Sequence, residues 1–462
     1  MNQCSRTFIL AGLVVAILLA LHLMPTLTLG GVELRHVNVL SDVLPEAYRS
    51  EEAIDYIPSP EPPAPQVAFV ADSSAVEIKE TRPPGVTMID DYSAGAPGGM
   101  AHFYSALANV SAMERPVRIA YYGDSFIEGD ILTCDLRESL QNEFGGNGVG
   151  WVDCGSKVAG FRRTVKHQFS GFTEYEVVKK PYSHSHEGIS QRYFVPAEGA
   201  SFSVKGTGYR RHSASWQVAS LFFRTDSSLT VTTAANGSPG RDIAVGASPS
   251  VQRLVTTDSM RQVTYTFGGI KGHTYIYGAA LESRRGVILD NFSMRGSAGY
   301  TLASLPQATL RDFARLRPYD LIVLHFGLNV LSDKSHAANY KAYVKRMKKA
   351  VDNLRKAFPE ASILIVSIPD RDQRTAAGIR TMNGVESLAA YQKVLASECG
   401  VAYFNLFEAM GGRESMKDMV DKGWANKDYT HLSFAGGRHV AGLIYKSLKA
   451  GFDNYKLRNE AR

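Results

Sequence analysis

The chain has 462 residues, a formal net charge of +6 and an isoelectric point near 8.9. This positive balance suits an anionic polymer as a partner, although many proteins with neutral substrates share it. The sequence contains neither a phosphate-binding glycine loop nor a dinucleotide fingerprint, which argues against a nucleotide-dependent enzyme.

The amino terminus predicts a membrane anchor within residues 1–31. Phe8 to Leu29 is a run of 22 residues without Asp, Glu, Lys or Arg, which is long enough to cross a bilayer as a helix. We expect the rest of the chain to lie beyond that membrane, and cleavage near Gly30 would instead give a secreted form. Residues 32–98, with the proline-rich run 58–65, predict an extended linker.

A candidate nucleophile follows the first strand of a predicted α/β domain, residues 99–160. The run Val117–Tyr122 is rich in β-branched and aromatic residues, and Gly123-Asp124-Ser125 comes directly after it. Ser125 would therefore lie where a strand meets a helix, beside unpaired backbone N–H groups that can stabilise negative charge.

The next segment, residues 161–286, predicts an inserted β-sandwich domain. More than 170 residues separate Ser125 from Gly299, the next candidate site residue, and short alternating strands punctuated by Gly, Ser, Asn and Pro fill most of this gap. Its aromatic residues could stack on sugars, although such side chains more often form a core. The aromatic candidates are Tyr209, Trp216, Phe222 and Tyr275.

The α/β pattern returns over residues 287–462 and completes a three-layer α/β/α domain. Asp320 to Phe326 predicts a buried parallel strand followed by Gly327-Leu328-Asn329, and the carboxyl edge of such a sheet is where ligands bind. A helix is predicted from Ala337 to Phe358; its lysines and arginines indicate a solvated face rather than a nucleic-acid surface.

Asp428 and His431 lie three residues apart on a turn before the last predicted helix. His431 can take the proton of Ser125, and Asp428 can orient the imidazole. Each segment also has a structural interpretation, since Asp428 could cap a helix, His431 could be a structural histidine, and Asn329 could be an ordinary turn residue. Their chain order and positions relative to the predicted elements favour acyl transfer through a serine.

These segments resemble the sequence blocks of the SGNH (GDSL-type) hydrolases, with Phe126 where the family name has leucine. The resemblance implies Ser125 as nucleophile, Asp428 and His431 as its partners, and an oxyanion hole formed by the Ser125 and Gly299 N–H groups and the Asn329 side chain. Gly296 competes with Gly299 for its role. Asp124 and Trp216 are the candidates for substrate contact.

The stretches Gly129 to Thr133 and Phe144 to Val152 are similar to the bacterial envelope peptidoglycan O-acetylesterases of this superfamily, in which a carbohydrate-binding-like β module interrupts the catalytic domain. The resemblance implies an O-acetylesterase for an envelope polysaccharide, foremost O-acetylated peptidoglycan, anchored in the inner membrane with its catalytic domain in the periplasm. No cofactor, metal or nucleic acid is expected.

Two alternatives stay open at this point. An O-acetyltransferase would use the same serine with a sugar hydroxyl as acceptor and could depend on a membrane-bound partner that delivers acetyl groups. A glycan-binding envelope protein with a vestigial pocket is the other alternative.

Cys134 and Cys154 could form a disulfide in an oxidising compartment. The segment 184–187 (His-Ser-His-Glu) is interpreted as an exposed loop rather than a metal site.

Overall fold

The computed structural model describes residues 13–14, 28–29, 32–33, 80–332 and 337–460. The chain divides into two compact units, residues 1–54 and 55–462. In the first unit, β1 (Thr28–Leu29) pairs antiparallel with β2 (Val32–Glu33). The end of the predicted anchor is therefore extended rather than helical, and most of the anchor lies outside the described residues. Within the residues that were searched, no helix has the length and apolar character needed to cross a membrane.

A six-stranded sheet forms the centre of the α/β domain. Its strands are β3 (Asp90–Asp91), β4 (Val117–Gly123), β14 (Val287–Ser293), β15 (Leu321–His325), β16 (Ser362–Val366) and β19 (Ala402–Phe404). They lie in the order β14-β4-β15-β16-β19-β3. Five strands are parallel, as predicted, but β3 pairs antiparallel with β19. The sheet is therefore mixed, because the end of the predicted linker supplies an edge strand.

Two groups of helices pack around this sheet. The helices are α1 (Ala101–Ala108), α2 (Thr133–Phe144), α3 (Gln307–Leu316), α4 (Ala337–Ala357), α5 (Val385–Cys399), α6 (Leu406–Ala409), α7 (Ser415–Asp421) and α8 (Phe434–Glu460). Helix α8 contacts α1 and α2, whereas α4 contacts α3 and α5. The two-stranded hairpin of β17 (Asp372–Thr375) and β18 (Gly378–Thr381) lies beside α7.

The inserted module is a single nine-stranded antiparallel sheet rather than two separate sheets. Strand β7, with 15 residues, pairs with β12 through one half and with β13 near its start, so the sheet curls around one core. The strands are β5 (Gly150–Val152), β6 (Val165–Glu176), β7 (Arg192–Gly206), β8 (Trp216–Thr225), β9 (Leu229–Ala235), β10 (Arg241–Val245), β11 (Ser248–Met260), β12 (Gln262–Gly268) and β13 (Thr274–Glu282).

The module is tied to the α/β domain by strands and by buried ion pairs. Strand β5 pairs with β13, so the module sheet begins before the predicted boundary at residue 161. Glu282, at the end of β13, accepts hydrogen bonds from Arg118 on β4 and from Arg317 after α3. Although burial would raise it, these two guanidinium groups lower the pKa of Glu282 to about 2. Removing one member of such a pair leaves a buried charge unpaired, so the contact favours one fixed arrangement.

Candidate active site

Ser125, His431 and Asp428 lie together at the carboxyl end of the parallel sheet. Ser125 Oγ is 3.1 Å from His431 Nε2, and His431 Nδ1 is 2.8 Å from Asp428 Oδ2. The spacing is that of a nucleophile, a base and the group that orients the base. The Ser125 side chain is half-buried while His431 and Asp428 are more accessible, so an ester can approach from solvent.

A tight turn brings Asp428 and His431 face to face. Tyr429, between them, adopts the left-handed conformation with φ 54°. The backbone N–H groups of Thr430 and His431 both donate to Asp428 Oδ1, at 3.0 Å each. Burial alone would raise the pKa of Asp428, but these bonds and the one from the imidazole lower it. Asp428 is thus held as a carboxylate with its second oxygen on His431.

Ser125 begins a short 3₁₀ helix, Ser125–Asp130, that follows β4 directly. Asp124 caps this helix, because its Oδ1 accepts a hydrogen bond from the Phe126 N–H at 2.9 Å. Within the helix, the carbonyl of Ile127 accepts a hydrogen bond from Asn291 Nδ2 at 2.8 Å. The first turn of the helix is therefore fixed by hydrogen bonds at both Asp124 and Ile127.

Asp130 connects this helix to the inserted module, a relationship that the sequence did not predict. Its buried carboxylate accepts bonds from Arg137 in α2 and from two module residues, Arg162 and Thr164. Burial alone would raise the pKa of Asp130, yet the two guanidinium groups hold it well below its usual range. The Gly129-Asp130 pair, noted for its resemblance to the esterases, was the available sequence signal.

The predicted oxyanion residues lie beside Ser125, but two of them already have protein acceptors. Asn329 Nδ2 donates to Asp124 Oδ2 at 3.1 Å and to the carbonyl of Ser297 at 2.9 Å, and the Gly299 N–H donates to Ser297 Oγ at 3.0 Å. An oxyanion would have to share or replace these acceptors. Ser297 thus joins the site through both its backbone and its side chain, which the sequence analysis missed.

Gly299 fits its position only as glycine. It has φ 88°, and a Cβ atom there would lie 2.6 Å from the ring of Phe326 and 3.0 Å from Met347 Sδ. Gly296 also has a positive φ, of 77°, but a Cβ atom would meet open space. The close approach therefore distinguishes Gly299 from its competitor.

Neither predicted substrate-contact residue reaches solvent. Asp124 is buried, and this burial raises its pKa to about 6; its role is to cap the helix and hold Asn329. Trp216 is 1% exposed and belongs to the core of the inserted module. Phe222 is likewise buried, whereas Tyr209 and Tyr275 are partly exposed. Trp216 lies in the module core, whereas Phe222 packs on the other face of β8, against Trp151 and against Phe313 of α3.

The predicted disulfide is not formed, and two residues of the segment 184–187 contact each other. Cys134 and Cys154 are buried and not bridged to each other, and burial raises the pKa of both thiols. His184 Nδ1 and Glu187 Oε2 are hydrogen-bonded at 2.7 Å. Across the described part of the chain, no group of three or more His, Cys, Asp or Glu side chains is arranged to hold a metal.

The fold is that of the SGNH-like α/β hydrolases, with an added antiparallel β module. Residues 263–439 match the model of the GDSL-like Lipase/Acylhydrolase family, a range that contains Asn329 and His431 but not Ser125. Among the curated proteins, none matches this chain. The resemblance to the SGNH (GDSL-type) hydrolases is thus confirmed.

The chain also resembles solved structures. A peptidoglycan O-acetylesterase superposes with a TM-score of 0.64 at 22% identity, over 79% of this chain and 99% of its own. A family two carbohydrate esterase from Cellvibrio japonicus gives a TM-score of 0.25 at 9% identity, over 66% of this chain and 98% of its own. A carbohydrate-binding module in complex with β-1,4-galactotriose gives 0.19 at 11% identity, over 28% and 97%. Only the first of these three matches bears on the fold.

Proposed function

We propose that this protein is a serine-dependent O-acetylesterase that removes acetyl groups from an envelope polysaccharide, foremost O-acetylated peptidoglycan. The observation that carries the proposal is the continuous chain of contacts from Ser125 Oγ through the His431 imidazole to Asp428, at 3.1 Å and 2.8 Å. The similarity of the fold to a peptidoglycan O-acetylesterase supports the choice of substrate.

The reaction begins when Ser125 Oγ attacks the acetyl carbonyl while His431 Nε2 takes its proton. Negative charge then develops on the carbonyl oxygen, next to the Ser125 N–H and the amide of Asn329. Collapse of the tetrahedral intermediate breaks the bond to the sugar oxygen, which takes the proton from His431. Water, deprotonated by the same imidazole, then hydrolyses the acetyl-enzyme and regenerates Ser125.

Polar surroundings favour a small acyl group on a polar alcohol. Arg295 and Glu128 form an ion pair beside the site, where Glu128 belongs to the helix that starts at Ser125 and Arg295 precedes Gly296. A long acyl chain would have to desolvate these charges. The membrane anchor, the periplasmic location and a membrane partner that delivers acetyl groups remain proposals from the sequence.

Covalent labelling tests the nucleophile separately from the substrate. A fluorophosphonate probe should label the wild-type chain at Ser125, and Ser125→Ala should remain unlabelled. His431→Ala should be labelled at least about a hundredfold more slowly, since general-base help contributes roughly 10²–10⁴-fold. Equal labelling of wild type and Ser125→Ala would contradict the assignment of the nucleophile.

A further inference from the structure

A cleft between the α/β domain and the inserted module lies next to the candidate active site. One wall contains Glu128 and Gly129, from the 3₁₀ helix that begins at Ser125, together with Ser293 and Arg295. The other wall includes module residues from β5, from the segment 155–162 and from both ends of β6. Ser125 itself does not line the cleft, but Glu128 in the cleft wall is three residues from Ser125 in the same 3₁₀ helix.

The size of the cleft suits one ring. Its volume is about 170 Å³, similar to the roughly 150 Å³ of an engineered cavity that binds benzene. The cleft is open to solvent on one side, so a longer molecule can enter with one residue inside.

Its charges are balanced and mutually paired. The lining contains five basic and five acidic side chains: Lys157, Arg162, Lys179, Arg192, Arg295, Glu128, Asp130, Asp153, Glu174 and Glu176. Each basic group lies within 4 Å of a carboxylate. Because every positive charge in this group is paired, the cleft is not expected to attract a polyanion, although the whole chain has a net positive charge.

The buried part of this lining is also held in place. Arg192 is mostly buried and contacts Asp153 at 3.2 Å and Glu174 at 3.5 Å, and Arg162 contacts Asp130 at 3.2 Å. Lys157 is exposed and reaches Glu176 at 3.3 Å. Carboxylates and cations fixed in this way offer donors and acceptors to hydroxyl and amide groups at little cost in side-chain entropy.

We infer that this cleft binds one uncharged sugar residue of the glycan chain, adjacent to the residue that carries the acetyl ester. The inference rests on the proposed function, because it specifies how the same site would recognise its polymer. It predicts that the enzyme prefers oligosaccharides to a single acetylated sugar, and that this preference depends on the cleft.

The first test compares kcat/KM for O-acetylated chitotetraose and O-acetylated N-acetylglucosamine. We expect the wild-type chain to favour the tetrasaccharide at least about tenfold. Lys157→Met removes a cleft cation, and Ala159→Trp fills the cleft; each should reduce the ratio of the two kcat/KM values about tenfold, as expected for the loss of a charged hydrogen bond. Lys166→Met, on β6 but outside the cleft lining, is the matched control and should keep the wild-type ratio.

The second test measures binding of unacetylated chitotetraose by calorimetry, which needs no catalysis. Lys157→Met and Ala159→Trp should each weaken binding about tenfold, and wild-type binding should change little between low and high salt. Unchanged affinity and unchanged ratios in both variants would overturn the inference, as would strongly salt-dependent binding, which would point to a charged ligand. Cleft-dependent binding without acetate release would contradict the proposed function but not the cleft assignment.

Discussion

Asn329 and Asp124 are joined by a hydrogen bond of 3.1 Å between the amide Nδ2 and Asp124 Oδ2. Asp124 directly precedes the nucleophile, so this bond couples the amide after β15 to the turn after β4. The same carboxylate caps the helix of Ser125. One buried side chain therefore sets the relative positions of Ser125, the proposed nucleophile, and Asn329, the proposed oxyanion donor.

Asn329→Ala should lower kcat about 10²–10³-fold, because the oxyanion loses a donor. KM should change much less, since the ground-state ester makes little use of that donor. Steady-state kinetics on a small acetyl ester would measure both. Asn109→Ala, which removes an exposed amide at the end of α1, is the control; a loss below about threefold in Asn329→Ala would contradict the role of Asn329.

Gly299→Ala and Gly296→Ala form a matched pair. Both positions have positive φ, so each substitution carries a strain of roughly 1 kcal/mol. Only the new Cβ at residue 299 would collide with Phe326 and Met347, which should cost about 1–3 kcal/mol more in the free energy of unfolding and should reduce kcat. Urea denaturation and kinetics on both variants check this, and equal effects at the two positions would be the contrary result.

Asp428→Ala should lower kcat about 10²–10⁴-fold while Ser125 can still react slowly. The substitution removes the acceptor of the imidazole Nδ1 and of two backbone N–H groups. Asp421→Ala, which removes only the exposed partner of Lys417, should leave kcat near wild type. If the two variants had equal kcat, Asp428 would not orient His431.

Asp370→Asn should make the chain more stable at alkaline pH. Asp370 is buried close to Asp372, and the burial, followed by the charge of Asp372, raises the pKa of Asp370 to about 7. Because the unfolded state releases this proton near pH 4 and the folded state keeps it until about pH 7, wild-type stability falls as pH rises between these values.

The amide mimics the protonated form, so the gain at pH 8 should be about 1–3 kcal/mol in the free energy of unfolding, and it should disappear below pH 4. Urea denaturation at a series of pH values measures it. A stability difference that does not vary with pH would show that Asp370 is not protonated in the folded state.

The α/β part could be predicted from the sequence because strands such as β15 and β16 are largely apolar runs, and because Gly123 ends β4. Helix α4 ends at Ala357, one residue before the predicted end at Phe358. The contacts of Ser125, His431 and Asp428 follow from their places after β4 and before α8, although their catalytic roles remain a proposal.

The remaining features depend on long-range contacts that local patterns do not contain. The edge strand Asp90–Asp91 has no apolar alternation and is a strand only because β19 offers a free edge. Trp216 could not be assigned to the core before the curl of the module sheet was known. The pairing of Asp130 with Arg162 joins residues 32 positions apart in the chain.

Acetate release from O-acetylated peptidoglycan by the full-length chain tests the central proposal most directly. The wild-type chain should release acetate, and Ser125→Ala should lose at least about 10⁴-fold of that activity. Equal acetate release by Ser125→Ala would contradict the serine mechanism. No release by either chain, with a small activated acetyl ester still cleaved by wild type alone, would contradict the substrate and leave the serine chemistry in place.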